Sequence, residues 1–167
     1  MPSIERIKKR HLLKKRDHRE EVERIEERLG SLVGLGEDDR FEEGILDDGT
    51  RILILGDDIL FFEKDGRLFP TVHALLKDMV KIPEVTVDMG AVRFVVNGAD
   101  IMRPGITQID DGIEEDSVVG VIEERHGKAL AVGVAQLDSQ NMRAADTGKV
   151  ILNVHYVNDE LWDFSKD

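Results

Sequence analysis

Residues 87–107, VDMGAVRFVVNGADIMRPGIT, decide how the second half of the chain is read. Their start completes a short strand, EVTVDMG, that stops at Asp88. A carboxylate just ahead of an apolar run is a favoured helix N-cap, so Asp88 predicts a short helix over GAVRFVVN. Gly98 then stands where helices commonly exit through the left-handed region. ADIMRPG follows as a loop punctuated by Pro104 and Gly105.

Downstream, SVVGVIEE and ALAVGVAQL are apolar enough to be buried strands. They are joined across ERHGK, with Gly127 as the turn residue. KVILNVHYV is the last strand and ELWDF closes the chain. This half is predicted to be a small, mostly β unit, a barrel with one helix as its cap.

Upstream the pattern changes around Pro83, and we place a domain boundary near residues 81–84. Residues 44–69 read as a meander of short strands, with Asp48-Gly49, Gly56-Asp57 and Asp65-Gly66 between the apolar runs. Such pairs accept the positive φ of tight hairpins. Asp57 and Asp58 are accordingly read as solvated turn residues rather than a catalytic pair.

Pro70 is expected to open a helix with Val72, Leu75, Leu76 and Met79 on one face. An earlier helix is expected from Asp17 as N-cap, with Val22, Ile25 and Leu29 at helical spacing and Gly30 as its stop. Its other face, Glu20, Glu21, Glu23, Arg24, Glu26, Glu27 and Arg28, reads as solvated. The fold class is α+β: an N-terminal α/β domain over residues 1–82 with a basic arm, then a C-terminal domain over residues 83–167.

At 167 residues the chain is long enough for one ordinary domain or two small ones. No run approaches the roughly 20 apolar residues of a membrane span. The absence of cysteine excludes disulfides, thiol chemistry and cysteine zinc sites, and it fits a reducing, cytoplasmic setting. The charge is uneven. Residues 1–19 hold eight basic side chains and two acids, within a chain whose net charge is −12. A polyanion is therefore repelled by the bulk and attracted only to a local patch. Lys8, Lys9, Arg10, Lys14, Lys15 and Arg16 form the densest such cluster, suited to backbone contact without sequence reading.

Catalytic signals are missing. LVGLGEDDRFEEG has two glycines but neither the third glycine nor the lysine of a phosphate cradle, and its acids would repel phosphate. His11, His18, His73, His126 and His155 are scattered and form no ligand set. Asp110-Asp111 and Glu114-Glu115-Asp116 read as solvated loops. With one Trp162 and one Tyr156, an aromatic stacking platform for single strands is not expected. No catalytic residue, metal or cofactor is assigned, and an enzyme is not expected.

The segment 87–107 resembles the PUA domain, named after pseudouridine synthases and archaeosine transglycosylases. VVGVIEERHGKALAVGVAQLDS and GKVILNVHYVNDELW look like that family's remaining strands in order. ILFFEKDGRLFPTVHALLK resembles the domain preceding PUA in the subfamily of malignant-T-cell-amplified-sequence translation factors, ligatin and archaeal relatives. The resemblance covers roughly residues 45–162 and implies a pseudo-barrel that binds structured RNA, often the acceptor end of tRNA, with no activity of its own. Initiator tRNA and the small ribosomal subunit are the implied targets, with another translation factor as the implied alternative partner.

Carried onto this chain, the implied RNA-binding residues are Asp88, Met89, Gly90 and Ala91 at the helix start. After the helix come Asn97, Gly98, Ala99, Asp100, Met102 and Arg103. Glycines admit close approach of a ribose or phosphate, and a helix start offers N–H donors to an anion. Arg93 and Arg103 would add charge-assisted contacts. Asp88 and Asp100 weigh against a strongly electrostatic site, so backbone and 2′-OH recognition should matter more. Two other readings stay open: an accessory RNA-binding subunit of a tRNA-modifying enzyme, and a protein-interaction adaptor with a structural PUA domain.

Overall fold

The computed structural model describes residues 6–166. They divide into two compact units, one running to Lys81 and including the segment from Asp163, the other Ile82–Trp162.

The first unit is a five-stranded antiparallel sheet whose strands follow chain order: β1 (Ile7–Leu12), β2 (Glu42–Leu46), β3 (Arg51–Leu55), β4 (Asp58–Lys64) and β5 (Arg67–Pro70). The three glycine pairs form its turns, and Gly49, Gly56 and Gly66 all take positive φ. The basic segment is a strand at the edge of this sheet, with its register broken between Lys8 and His11. Helix α1 (Lys15–Leu29) joins β1 to β2 and buries Ile25 and Leu29, the spacing that predicted it. It starts earlier than Asp17. The Leu13 N–H is fixed on the Phe41 carbonyl and the His18 N–H on the Lys14 carbonyl, so the turn begins at Lys14. Asp17 instead lies in the first turn, where its charge complements the helix dipole.

Two residues of the face read as solvated turn to the sheet. Arg24 pairs with Glu63, and Arg51 meets Glu21, Glu43 and Glu63, with a 2.7 Å bond from its Nε to Glu43. Helix α2 (Val72–Leu76) is shorter than expected. Thr71, not Pro70, starts it by accepting the Ala74 N–H at 3.2 Å, while Pro70 ends β5. Asp78, at φ 55°, lies beyond its end, so Met79 is buried from outside the helix and Leu76 is exposed.

The second unit holds β6 (Glu84–Val87), α3 (Met89–Val95), β7 (Ile101–Met102), a 3-10 turn (Arg103–Gly105), β8 (Ile106–Ile109), β9 (Val118–Glu123), β10 (Ala129–Ala135), α4 (Ser139–Ala144), β11 (Lys149–Tyr156) and the start of α5 (Glu160–Lys166). The sheet order is β7-β11-β10-β9-β6-β8, antiparallel except for β6 beside β9. Its two edge strands, β7 and β8, are joined by only the three-residue turn. The sheet must therefore curl until its edges nearly meet, giving a pseudo-barrel.

Val85, Val87, Val119, Val121, Ala131, Ile151 and Met142 fill the interior. Small residues along β10 allow that filling: a Cβ on Gly133 would overlap the Leu152 carbonyl of β11. The unit has more helix than expected. Asp138 caps α4 by accepting the Asn141 N–H at 2.8 Å, and Asp159 caps α5 through Trp162. The segment read as a loop, ADIMRPG, holds β7 and is followed by β8, and both strands are too short for a periodic signal.

Candidate nucleic-acid interface

Helix α3 begins at the end of β6, where Asp88 accepts the Ala91 N–H at 2.9 Å, as its place in the sequence predicts. The Asp88 N–H in turn donates to the Gly105 carbonyl at 2.9 Å, drawing the 3-10 turn against the helix start. A Cβ on Gly105 would come within 3.3 Å of the Ala91 methyl, so glycine lets turn and helix approach this closely. Between helix and turn lies a groove of about 420 Å³, lined by Val87, Asp88, Gly90, Ala91, Phe94, Val95, Ala99, Asp100, Ile101, Met102, Pro104 and Gly105.

The groove is mostly apolar. Phe94 and Met102 are about half exposed, at 54% and 49%. The Arg93 guanidinium lies over the Phe94 ring, 4.8 Å from its centroid, so cation and aromatic face form one plate. Gly90 is exposed, and a Cβ there would meet only the Asp88 carboxylate, at an ordinary 3.4 Å.

Both acids that border the groove are occupied within the chain. Asp88 is the helix cap. Asp100 accepts the Asn153 N–H at 2.8 Å and the Lys149 ammonium at 2.9 Å. Partial burial opposes ionisation of Asp100, but those two partners outweigh it and hold its carboxyl below the usual range. The helix start differs from the expectation of free donors. The Met89 N–H faces the Glu124 carboxylate at 3.3 Å, and the Ala91 N–H is taken by Asp88.

Arg103 also differs from expectation. Its Nε donates to the Met142 carbonyl at 2.7 Å and its Nη1 to the Ile106 carbonyl at 3.2 Å, so it ties the 3-10 turn to α4. Asn97 closes the far end of α3 by donating to the Arg93 carbonyl at 2.7 Å. Gly98 follows at φ 93°, with the Tyr156 hydroxyl directly beneath it.

Sequence reasoning thus brings Asp88, Gly90, Ala91, Ala99, Asp100 and Met102 to one groove, with Met89, Arg93, Asn97 and Gly98 on the elements that frame it. It left out Val87, Phe94, Val95, Ile101, Pro104 and Gly105 of the lining. Phe94 had a signal: it departs from the buried face set by Val92, Val95 and Val96.

Lys8, Lys9, Arg10, Lys14 and Lys15 lie in the other unit. Arg10 pairs with Glu42, and Lys8 stands 3.9 Å from Asp47. Lys9 occupies the irregular part of β1 at φ 52°, and Lys14 and Lys15 are exposed at the start of α1. Among the described residues, no group of three or more His, Asp or Glu is placed to hold a metal ion. No helix among them is long and apolar enough to cross a membrane.

Residues 83–157 match the family model of the PUA domain, and residues 9–78 match a domain of unknown function, DUF1947. An uncharacterised protein of Methanocaldococcus jannaschii is 38% identical, covering 95% of this chain and 98% of its own. Translation machinery-associated protein 20 of Eremothecium gossypii is 33% identical over 71% of this chain and 68% of its own. Malignant T-cell-amplified sequence 1 of Danio rerio is 38% identical over 66% and 64%.

Among solved structures, a PUA domain from Aeropyrum pernix K1, crystallised with tartrate, superposes with a TM-score of 0.83 at 26% identity. The match covers 97% of this chain and 92% of that one. A hypothetical protein of Pyrococcus horikoshii OT3 gives 0.79 at 31%, over 93% and 99%. With these relatives spanning both units, the chain belongs to the family of PUA-domain proteins that includes Translation machinery-associated protein 20 and Malignant T-cell-amplified sequence 1.

Proposed function

We propose that this protein binds RNA in translation, holding an unpaired end such as the tRNA acceptor end, or an exposed element of small-subunit ribosomal RNA, in the groove beside α3. In this reading it acts in the cytoplasm and has no catalytic activity of its own. The observation that carries the proposal is the groove's character. It has buried Val87, Val95 and Ile101 in its lining, a rim of half-exposed Phe94 and Met102 with Arg93 over the ring, and bordering acids already engaged by internal partners. Such a hollow suits an unstacked base better than a phosphate, and single-stranded ends are the RNA elements whose bases can be splayed out.

Fluorescence anisotropy of the whole chain with tRNA, and with the same tRNA trimmed of its unpaired 3′ nucleotides, tests this. The intact RNA should bind more tightly. Phe94→Ala should weaken it about tenfold, within the roughly 1–3 kcal/mol of a base–aromatic stack. Equal affinity for both RNAs, with Phe94→Ala indifferent, overturns the groove reading. The adaptor reading draws on the same exposed Phe94 and Met102. It would be favoured by RNase-resistant retention of a protein partner that Phe94→Ala releases.

A further inference from the structure

The second unit is strongly acidic, yet its six lysines and arginines are not equivalent. Arg103 is spent on carbonyls, Arg143 pairs with Asp111 at 2.7 Å, and Lys149 pairs with Asp100. The other three, Arg93, Arg125 and Lys128, form no ion pair among the described residues of this unit.

These three are gathered around one element. Arg125 and Lys128 lie in the exposed turn between β9 and β10. That turn is bound to the start of α3, because the Glu124 N–H donates to the Val87 carbonyl at 3.1 Å and the Glu124 carboxylate accepts the Met89 N–H. Arg93 stands one helical turn beyond Met89, on the same side of the helix.

The turn is also held in shape. The buried Glu123 carboxylate accepts the N–H groups of His126 and Gly127, the latter at 3.0 Å, and Gly127 takes φ 67°. The two backbone bonds, from His126 and Gly127, with smaller help from the nearby His126 and Arg125 side chains, hold Glu123 below the usual carboxylate range, so the brace stays charged at neutral pH. The turn therefore presents its cations from a fixed backbone frame, so only their side chains remain to be ordered on binding.

From this clustering of uncommitted cations we infer that the β9–β10 turn is the phosphate-binding limb of the RNA interface. Arg125 and Lys128 clamp the backbone of the strand whose end enters the groove, and Arg93 bridges turn and groove. This rests on the RNA reading above. It assigns the electrostatic part of binding to residues 125–128 rather than to the glycine-bordered helix start, where the Met89 and Ala91 N–H groups already face carboxylates.

The test measures affinity of the whole chain for a tRNA transcript across a series of salt concentrations. Each single-strand phosphate contact contributes about 0.7 to the slope of log affinity against log salt. The double variant Arg125→Ala, Lys128→Ala should lower that slope by about 1.4 and weaken binding about tenfold or more at low salt. Arg125→Lys should keep the slope. Arg143→Ala, which removes an already paired cation, should leave it unchanged.

Thermal melts of these exposed-turn variants should match wild type. If wild type binds and Phe94→Ala weakens it, yet the double variant keeps the full slope, the turn is not the limb and the inference fails alone. If wild type does not bind RNA, both readings fail.

Discussion

Gly90 and Gly98 bracket the same helix and look interchangeable in the sequence, but their backbones make opposite demands. Gly98 has φ 93°, and a Cβ there would lie 2.8 Å from the Tyr156 hydroxyl. Left-handed backbone and overlap should together make Gly98→Ala destabilising by about 1–3 kcal/mol, read from urea unfolding. Gly90 has ordinary φ and an open side, so Gly90→Ala should be neutral or stabilise by up to about 1 kcal/mol, because alanine is the better helix former. Equal losses would mean that neither conformation nor space separates the two sites. Arg103 makes a similar distinction among cations. With both donors on carbonyls of neighbouring elements, Arg103→Ala should cost about 1–3 kcal/mol of stability from the unsatisfied Met142 and Ile106 oxygens. A melt unchanged from wild type, with RNA affinity lost, would return Arg103 to the interface where the resemblance put it.

Elements were legible where one periodicity governed a long enough run. The strand meander, the core face of α1, the capped start of α3 and the β9–β10 hairpin all followed from spacing and turn chemistry. The short β7 and β8, and α4 with its Asp138 cap, lie in segments of two to six residues where no period can be counted. The groove was half legible for the same reason: glycines and the cap announce themselves, whereas the commitments of Asp100 and Arg103 depend on β11 and α4, distant in sequence. The ionic clamp of α1 was likewise hidden, because Glu21 and Arg24 resemble any solvated helical pair until Arg51 and Glu63 arrive from β3 and β4. Arg51→Ala would leave Glu21, Glu43 and Glu63 facing one another and should cost about 1–3 kcal/mol at neutral pH, less than a fully buried pair because the cluster is partly exposed. Burial opposes ionisation of Glu63, yet Arg24 and Arg51 hold its carboxyl below the usual range. Its stabilisation is therefore present above the ordinary glutamate pKa of about 4.3 and lost as pH falls through its lower folded value. The stability gap between wild type and Arg51→Ala should accordingly close below about pH 4, as seen in urea titrations at several pH values. A gap constant down to pH 3 would rule out an electrostatic origin.

For the molecule as a whole, a net charge of −12 must be reconciled with an anionic partner. Charges far from an interface act mainly on the rate of encounter, and salt screens them within about 10 Å at 0.1 M. Contacts inside the interface govern dissociation instead. Glu114, Glu115 and Asp146 are exposed and outside the groove, and their carboxylates serve the general repulsion. Replacing them together as Glu114→Gln, Glu115→Gln and Asp146→Asn should raise the association rate with tRNA a few-fold at low salt. The dissociation rate should stay the same, and the gain should vanish near 0.5 M salt. Stopped-flow mixing at two ionic strengths separates the terms. A changed dissociation rate would place these acids in contact with the RNA. An unchanged association rate would mean that the local field around Arg93, Arg125 and Lys128 already dominates the approach, and that the acidity of the rest of the chain is invisible to an incoming strand.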